Sequence, residues 1–393
     1  MVPVERMNAS ATPARVLVVR LSALGDVLLV SPLLRAFADE RPEIEVDVLT
    51  RMSSAPALAG NPHLRALHLS GAGGTRQALA GRRYDLVLDL SGTLRSRLLV
   101  LSLRRPARTI AKHSLARRLM VRRTSRPGRM LQAAVESIRG RRDAVEFTSE
   151  SAPERHGAVE SVPRPGHMTA LPHAVERYFG TARGLVRTPS DPRPEIHLTP
   201  EERDQAARWL GPGAPVVALF PGARWGTKAW PAERFRELAE RLARDAGVRA
   251  LLFVGPQDDA LAEALGGLRD TPAAGGGAGA GVHRLPFRLV AGVLEHAQAA
   301  VANDSAMMHL ATATGTPLVA FFGPTVTGFG FRPLGPESTV LERSLPCRPC
   351  SIHGSVRCPL GHHDCLRGIS IEEAFAQVIH KIRPSSKATI GGA

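Results

Sequence analysis

One carboxylate near the start of the chain stands where it can act as a base. Asp26 is the one acidic residue in the run RLSALGDVLLVSPLLRAF (20–37). A β-rich run, VLVVRL (16–21), precedes it and residues of helical character follow it, so Asp26 falls at a predicted strand-to-helix turn. A carboxylate that faces a cleft from such a turn can accept the proton of an attacking hydroxyl group. The same carboxylate can instead do no more than cap the helix.

A lysine-containing loop later in the chain has the features of a phosphate site. Arg224 and Lys228 lie in FPGARWGTKAWPAERF (220–235), which follows a predicted strand and leads into a predicted helix. A lysine at this place can neutralise a diphosphate, and the N-terminus of the helix can add its own positive potential. The alternative is a surface lysine beside a Trp-Pro turn, and nothing in this run separates the two.

The run NDSAMMHLATATGTPLVAFFGPT (303–325) gives a sharper signal of the same kind. It follows the apolar residues AAVA, so a strand is expected to end there and a helix to begin within SAMMHLATA. Asp304 or Ser305 can cap this helix and leave its free N–H groups directed at a cleft, where a phosphate is a natural ligand. His309 lies about one turn into the helix, and taken alone it is expected to be a structural histidine.

All four cysteines of the chain lie close together near its C-terminal end. They are Cys347, Cys350, Cys358 and Cys365, with His353, His362 and His363 among them. Four thiolates at this spacing can bind a structural zinc ion. Two disulfide bonds are not expected, because the chain reads as a protein of a reducing compartment.

These runs need a scaffold that brings strand ends together, and the order of elements predicts one. Short apolar runs alternate with helical stretches in both halves of the chain, which is the pattern of two open, doubly wound α/β domains with parallel sheets. A proline-rich segment, RTPSDPRPEIHLTP (187–200), separates the halves. Open α/β sheets bind ligands beyond the carboxyl ends of their strands, so we expect a site in the cleft between the domains.

Changes in composition predict the boundaries. They are an N-terminal extension at 1–14, a first domain at 15–186 with a polar insertion at about 121–165, a linker at 187–200, a second domain at 201–345, and a cysteine-rich segment with a C-terminal helix at 346–393. The predicted strands of the first domain are 16–21, 44–50, 64–70 and 84–91. The glycine-rich run TPAAGGGAGAG (271–281) is predicted to be a flexible loop.

Length and composition fit two cytoplasmic domains. The chain has 393 residues, of which 44% are hydrophobic and only 4% aromatic, so its cores are expected to consist mainly of Leu, Val and Ala. It has no run of 18 or more apolar residues, so no membrane span is expected. The first fourteen residues lack the apolar segment of a signal peptide, and a cytoplasmic location is expected.

The charge is strongly positive and unevenly placed. The formal net charge is +15, and residues 82–126 contain thirteen Lys or Arg against two acids, Asp85 and Asp89. Such a field attracts nucleic acid, an anionic membrane surface or a phosphorylated substrate. A basic nucleic-acid-binding protein is therefore an alternative of a different class. No zinc finger, RNP signature or aromatic-interleaved basic strip is present, so no nucleic-acid partner is expected.

Five runs together resemble one enzyme family, the family 9 glycosyltransferases, whose typical members are ADP-heptose:lipopolysaccharide heptosyltransferases. In the order and spacing of that family, the runs are RLSALGDVLLVSPLLRAF, YDLVLDLSGTLRS, HAVERYFG, FPGARWGTKAWPAERF and NDSAMMHLATATGTPLVAFFGPT. The resemblance extends from roughly Val16 to Ile382 and is poor at 121–165. Its most specific part is S-x-L-G-D combined with K-x-W-P and N-D-S-x-x-x-H.

The resemblance implies a fold and an activity. The fold is of the GT-B type, in which two Rossmann-like domains face each other across a deep cleft and the C-terminal helix often crosses back to the first domain. The activity is a metal-independent, inverting transfer of heptose from ADP-heptose to a lipopolysaccharide-core acceptor, with no cofactor required. The first domain then binds the acceptor and the second binds the nucleotide sugar. The alternative within this fold is another nucleotide sugar and another glycolipid or glycan.

The resemblance also implies roles for the residues that match the family motifs. Asp26 is the catalytic base, Lys228 holds the donor diphosphate, and Asp304 meets the hydroxyl groups of the donor sugar. Asp258 or its neighbour Asp259 lies near the ribose. The donor-binding set is Gly222, Lys228, Asp258, Asp304, Ser305, Ala306, Met307, Met308 and His309, with the backbone N–H groups of 305–308 around the diphosphate. Ala306 stands where the family usually has glycine, which leaves the identity of the donor open.

The acceptor in this family is lipid-linked and carries acidic sugars and phosphates. Ser22 and Arg95 are assigned to it, and a peripheral position on the inner face of the cytoplasmic membrane follows. A minority of the basic side chains Arg104, Arg105, Arg117 and Arg118 is expected to meet membrane head groups. Relatives carry a similar cysteine-rich segment and the family is not known for zinc, so a structural zinc ion at Cys347, Cys350, Cys358 and Cys365 remains one of two interpretations.

Overall fold

The chain folds into two α/β units, each built on its own parallel sheet, in a computed structural model of the protein. The structure describes residues 13–71, 77, 79, 81–124, 170–267 and 277–382, without the side chains of 122–124. The predicted N-terminal extension and the predicted polar insertion therefore lie largely outside the described residues.

The first sheet has five parallel strands and is covered on both faces. Its strands are β1 (Arg15–Val19), β2 (Glu45–Arg51), β3 (Ala66–Ser70), β4 (Leu86–Asp89) and β5 (Ala107–Thr109), in the spatial order β3-β2-β1-β4-β5. Successive residues of β1 point to opposite faces, so Val16 and Val18 pack in one hydrophobic core and Leu17 and Val19 in another. This is the doubly wound arrangement that the sequence predicts.

Five helices whose full extent lies within the described residues flank this sheet. They are α1 (Leu24–Leu28), α2 (Ser31–Glu40), α3 (Leu94–Leu103), α4 (Ser114–Thr124) and α5 (Ala174–Thr181). Local sequence explains where two of them begin: Pro32 stands in the first turn of α2, and the Thr93 hydroxyl accepts the N–H of Ser96 (3.1 Å) at the start of α3.

The second sheet has six parallel strands. They are β6 (Val216–Phe220), β7 (Arg249–Phe253), β8 (Gly279–His283), β9 (Ala297–Asn303), β10 (Leu318–Phe322) and β11 (Ser338–Glu342), in the spatial order β11-β10-β9-β6-β7-β8. Val217 and Leu219 face one core, and Val216 and Ala218 face the other, so this sheet is also covered on both faces.

Seven helices of the described residues belong to the second unit. They are α6 (Pro200–Leu210), α7 (Ala232–Ala246), α8 (Asp259–Ala264), α9 (Phe287–His296), α10 (Ala306–Ala313), α11 (Asp364–Arg367) and α12 (Ile371–Ile382). Ala374 and Val378 of α12 are buried in the core of the second unit. As far as Ile382, the C-terminal helix therefore packs on its own unit. The family resemblance led us to expect that it crosses to the first unit, and this expectation is not met.

Three differences separate the observed strands from the predicted ones. The sequence analysis did not predict β5 and β11, because both are short strands at sheet edges without a continuous apolar run. The predicted flexible loop at 271–281 is wrong at its end, because Gly279–Gly281 belong to β8 and pair with β7. Residues 271–276 of that loop lie outside the described residues.

The two units make direct contact beside the cleft. Arg288 of α9 donates hydrogen bonds to the backbone carbonyls of Pro56 (3.2 Å) and Ala59 (2.9 Å) in the first unit, and it pairs with Glu202 of α6. A single hydrophobic core includes residues of both units. Within the described residues, no helix combines the length and the hydropathy that a transmembrane span requires.

Candidate active site

The chain order of the strands brings the predicted motifs to one place. In the first sheet β1 lies between β2 and β4, and Asp26 follows β1 on α1. In the second sheet β6 and β9 are neighbours, and the loops after them carry Lys228 and Asp304. Both positions are points where the strand order reverses, and open α/β sheets bind ligands in the crevice at such points.

Asp26 is held by two contacts and is one-quarter exposed. Its Oδ2 atom lies 2.6 Å from Nη2 of Arg20, and it also accepts a hydrogen bond from the N–H of Ala23 (3.3 Å). The second contact is the helix-capping role that the sequence left open. Since both contacts use Oδ2, the carboxylate can cap α1 and still present Oδ1 to a ligand.

Arg20 sets the charge state of Asp26. Burial alone would raise the pKa of this carboxyl group, but the Arg20 guanidinium and the Ala23 N–H outweigh burial and hold the pKa of Asp26 below its usual range. Arg20 is itself fixed by a hydrogen bond to the Leu90 carbonyl (2.6 Å), and its guanidinium lies 5.7 Å from the centre of the Tyr178 ring. Asp26 is therefore ionised at neutral pH.

Gly25 lets the two units approach each other at this point. A Cβ atom on Gly25 would lie 3.0 Å from Cα of Ala306 and 3.1 Å from Cδ2 of His309. Contacts that short would force a displacement, so only a residue without a side chain lets α1 approach the first turn of α10. The Ala306 methyl lies 3.3 Å from the same position, so it faces Gly25.

The N-terminus of α10 offers unpaired donors to the cleft. Ser305 occupies the N-cap position without making a side-chain cap, and its Oγ is buried with no hydrogen-bond partner among the described residues. The N–H groups of the first turn are therefore not used by a capping side chain. Met308 is fully buried in the core, so only its backbone can reach a ligand here.

Lys228 and Asp304 form an ion pair, with Nζ 2.6 Å from Oδ2. The same oxygen accepts a hydrogen bond from the hydroxyl of Thr325 (2.7 Å). The sequence assigned the two residues to different parts of one ligand, whereas the structure brings them into direct contact. Asp304 is therefore the counter-ion of Lys228, a relationship that the motifs did not indicate.

Asn303 connects the two loops that carry this ion pair. It is fully buried; its Oδ1 accepts the N–H of Trp230 (3.0 Å), and its Nδ2 donates to the Pro221 carbonyl (2.8 Å). The loop after β6 is thereby tied to the end of β9. Sequence reasoning missed this residue, although a buried polar residue directly after an apolar strand was the available signal.

Asp258 and Gly222 also come together, at the next strand ends. Oδ2 of Asp258 accepts the N–H of Gly255 (3.0 Å) and lies 3.2 Å from where a Cβ atom on Gly222 would stand. Asp259 is exposed and pairs with Arg284 (2.6 Å). Of the two neighbouring acids, Asp258 is thus the one that faces the Gly222 turn.

His309 is buried behind this surface. Burial lowers its pKa, although the carboxylates of Asp26 and Asp304 act in the opposite direction, so the imidazole is neutral at pH 7. Its ring packs beside Gly25, as a structural histidine would.

Comparison with known proteins identifies the family. The model of glycosyltransferase family 9 (heptosyltransferase) matches residues 147–358. A lipopolysaccharide heptosyltransferase 1 from Pseudomonas aeruginosa is 30% identical over 354 residues, which is 86% of each chain. The chain belongs to glycosyltransferase family 9. This confirms the resemblance that the five sequence runs carry, and the protein is a glycosyltransferase.

Solved structures confirm the fold of this family 9 glycosyltransferase. The Escherichia coli ADP-heptose lps heptosyltransferase II superposes with a TM-score of 0.64 at 21% identity, over 94% of this chain and 98% of that one. The E. coli heptosyltransferase WaaC, solved with ADP-2-deoxy-2-fluoro heptose, gives 0.54 at 21% identity, over 93% and 99%. The predicted GT-B arrangement of two Rossmann-like domains is therefore correct.

Ser22 and Arg95, which the sequence analysis assigned to the acceptor, are exposed in this glycosyltransferase. Ser22 follows β1, and Arg95 lies in the first turn of α3. Arg104, Arg105 and Arg118 are exposed as well, but Arg117 is buried and is not available to a membrane head group.

Arg117 forms part of a buried cationic pair with Arg177, which the sequence analysis did not single out. Both guanidinium groups stack on Phe331, at 5.4 and 5.1 Å from the ring centre, and the Nε atoms of both are buried without a partner among the described residues. Burial and the neighbouring Arg177 lower the pKa of Arg117 to about 10, and burial lowers that of Arg177. The charge of Asp26 opposes both shifts, so the pair lies within electrostatic reach of that carboxylate.

The cysteine-rich segment packs against the lysine loop. The Thr227 hydroxyl donates to the Ser355 carbonyl (2.8 Å) and accepts the Ser355 N–H (2.8 Å), and His363 Nε2 lies 2.9 Å from the Thr227 carbonyl. Thr227 directly precedes Lys228, so this segment supports the loop that carries the lysine.

The four cysteines are free thiols, and they do not form a closed metal site as they stand. Among the described residues, no three of the Cys, His, Asp and Glu ligand atoms in this segment lie within 4.8 Å of one another. Sulfur atoms around zinc would lie about 3.8 Å apart. Burial raises the pKa of Cys350 to about 11 and that of Cys365 to about 12. The zinc interpretation stays an untested prediction with little geometric support.

Proposed function

We propose that this protein transfers heptose from ADP-heptose to an anionic acceptor of the lipopolysaccharide core, with inversion at the anomeric carbon. The observation that carries the proposal is the close approach of Gly25, the residue before Asp26, to Ala306 in the first turn of α10. This contact brings the segment that carries the Asp26 carboxylate to the N-terminus of α10, where we expect the diphosphate to bind. The names of the curated relatives and the heptose donor analogue in WaaC support the choice of sugar.

The donor diphosphate binds between Lys228 and the first turn of α10. Three features support this: the ammonium of Lys228, the N–H groups that no side chain caps, and the unpartnered Ser305 Oγ. Together they provide the positive potential that stabilises a leaving diphosphate, so the transfer requires no metal ion. Asp258, beside the Gly222 turn, is then the acid that binds the ribose.

The reaction is a single displacement. The acceptor hydroxyl oxygen attacks the anomeric carbon while the bond from that carbon to the β-phosphate oxygen breaks, and ADP leaves with the electron pair. Oδ1 of Asp26 takes the proton of the attacking hydroxyl as positive charge develops on the sugar. Because Arg20 keeps Asp26 ionised, the base is present in its active form over a wide pH range.

The buried pair of Arg117 and Arg177 is the part of the acceptor site that recognises charge. Among the described residues, these two guanidinium groups have no carboxylate partner at hydrogen-bond distance, and their Nε atoms are unpaired, so they match a phosphate or sugar carboxylate. The Asp26 carboxylate acts on the pKa of both arginines, which supports an acceptor whose anion binds here and whose hydroxyl group reaches Asp26. This assignment adds to the sequence-based one of Ser22 and Arg95, which would contact the exposed part of the acceptor.

An anionic bilayer is the proposed partner of the surface formed by α3 and α4. Exposed leucines recur there at helical spacing, namely Leu94, Leu98, Leu101, Leu115 and Leu119. Exposed arginines flank them, namely Arg95, Arg97, Arg104, Arg105 and Arg118. Apolar side chains with a rim of arginine suit the interface of a membrane with negative lipids. A peripheral position on the inner face of the cytoplasmic membrane would bring the lipid-linked acceptor to the cleft.

Binding to vesicles tests this surface. We expect the wild-type protein to float with anionic vesicles and not with zwitterionic ones, and Leu98→Ser with Leu101→Ser to weaken flotation by more than about tenfold. Met52→Ser removes an equally exposed apolar side chain elsewhere and should change nothing. Equal binding by all three proteins would place the membrane contact elsewhere.

The transfer itself is tested with a panel of ADP-, UDP- and GDP-sugars and a lipopolysaccharide-core acceptor in the presence of EDTA. We expect acceptor-dependent release of ADP from ADP-heptose alone, with a product of inverted anomeric configuration. Turnover of a UDP- or GDP-sugar instead would favour the alternative donor. Salt-sensitive binding of DNA without turnover of any sugar nucleotide would favour the nucleic-acid-binding alternative and refute the proposal.

A further inference from the structure

We propose that His63, Glu195 and His197 bind one divalent transition-metal ion where the linker meets the first unit. One ligand atom from each residue lies within 4.8 Å of the other two, and no other three His, Cys, Asp or Glu side chains in the described parts of the chain meet this condition. None of the three residues is among those assigned to the donor, the acceptor or the base.

Both imidazoles present the same nitrogen to one oxygen. Nε2 of His63 lies 3.4 Å from Oε1 of Glu195, and Nε2 of His197 lies 3.1 Å from it. With metal–ligand bonds of about 2.0–2.2 Å, neighbouring ligand atoms stand about 2.9–3.5 Å apart in octahedral or tetrahedral sites. The two rings are 5.5 Å apart and inclined by 80°, so the nitrogens approach the common oxygen from different directions. The observed separations match the edges of a coordination polyhedron.

Surrounding groups hold the carboxylate and its backbone in place. Arg35 pairs with Oε2, the oxygen of Glu195 that the imidazoles do not use, and also donates to the Asp191 carbonyl (2.8 Å). The N–H of Glu195 donates to Ser31 Oγ (2.8 Å). A carboxylate that binds a metal is usually oriented in this way by a hydrogen-bonding second layer. The side chains of His63, Glu195 and His197 are 23%, 19% and 29% exposed, so an ion can reach them.

The ligand set selects a class of ion. Two imidazole nitrogens and one carboxylate oxygen suit Zn²⁺, Co²⁺, Ni²⁺ or Cu²⁺, whereas Mg²⁺ and Ca²⁺ prefer oxygen ligands throughout. Water fills the remaining positions. The absence of sulfur distinguishes this site spectroscopically from any site in the cysteine-rich segment.

An ion at this position would tie the two units together through the linker. His63 belongs to the first unit, and the His197 carbonyl accepts a hydrogen bond from Arg288 of the second unit (2.7 Å). Arg288 also donates to the Ala59 carbonyl of the first unit (2.9 Å). The metal would therefore strengthen a contact between the units that Arg288 already makes.

Titration of the full-length protein with CoCl₂ tests the site. We expect one equivalent of Co²⁺ with weak visible bands typical of nitrogen and oxygen ligands and without sulfur-to-cobalt charge transfer. His63→Gln and His197→Gln should each weaken this binding by at least about tenfold. His296→Gln removes an exposed histidine at the end of α9 and should bind as the wild type does.

The wild-type spectrum alone can refute the proposal. Failure of the wild type to bind Co²⁺, or a spectrum with sulfur charge-transfer bands and none of the bands of nitrogen and oxygen coordination, would mean that His63, Glu195 and His197 form only a hydrogen-bond network. Unchanged affinity in both folded histidine variants would mean the same. The affinity of each variant for ADP reports on its fold independently of the metal.

Discussion

The ammonium of Lys228 lies 2.6 Å from a carboxylate oxygen of Asp304, and both side chains are largely shielded from water, at 15% and 10% exposure. A diphosphate that binds Lys228 must therefore compete with a carboxylate already in place. The two residues are expected to have opposite effects on the binding of a nucleotide diphosphate.

Lys228→Ala should weaken the binding of ADP about ten- to a hundredfold, because a charge-assisted contact is worth roughly 1.5–3 kcal/mol. Asp304→Asn should leave Lys228 without its counter-ion, so ADP binds as well as before or more tightly. The same variant should bind a non-hydrolysable sugar nucleotide more weakly, because the sugar hydroxyls lose an acceptor. Isothermal titration with both ligands measures these effects.

Lys228→Arg is the control, since it keeps the charge and should retain most of the affinity for ADP. Equal losses of ADP binding in Lys228→Ala and Asp304→Asn would mean that Asp304 supports the phosphate loop instead. Unchanged affinity for ADP in both variants would mean that the donor binds at another site.

Asp26→Asn should lower the rate of transfer by about 10²–10⁴ and leave donor binding intact. An asparagine side chain can still accept the N–H of Ala23, so the start of α1 should be preserved. Initial rates together with ADP titration separate the two properties. Near-native turnover by a folded Asp26→Asn protein would contradict the role of Asp26 as base.

Arg20→Met should move the acidic limb of the kcat/KM profile to higher pH. In the wild type the Asp26 pKa lies below its usual range, so the basic form persists to a lower pH than it would in a free aspartate. Without Arg20, burial acts unopposed and raises that pKa, so activity should fall at a higher pH. Arg20→Lys keeps a positive charge and should lie between the two. Coincident acidic limbs in all three proteins would show that Arg20 does not control the base.

The cysteine-rich segment should show no metal bound through sulfur. No three of its described ligand atoms lie within 4.8 Å of one another, and burial raises the pKa of the Cys350 and Cys365 thiols. Co²⁺ should therefore give no sulfur-to-cobalt charge-transfer band, and Cys350→Ser should lower the free energy of unfolding by no more than about 1 kcal/mol. A strong charge-transfer band that Cys350→Ser abolishes, with a much larger loss of stability, would establish the zinc interpretation instead.

Much of the fold and of the site was predictable, because local sequence carries the relevant signals. Apolar runs of strand length mark β1, β6 and β10, and the alternation of strands and helices dictates two parallel sheets. The short edge strands β5 and β11 carry no such signal, since an edge strand buries less of its surface.

The sequence by itself determined which residues stand at strand ends, and hence that Asp26, Lys228 and Asp304 would face a cleft. Only the tertiary structure decided which residues these side chains pair with. Each of the important contacts joins residues that are apart in the sequence. They are the pairs Lys228–Asp304 and Arg20–Asp26, the stacking of Arg117 and Arg177 on Phe331, and the cluster of His63, Glu195 and His197. Local propensity and periodicity act over a few residues along the chain, whereas hydrogen bonds and charge act through space. Such pairs therefore exist only once the sheets and the linker have set the segments side by side.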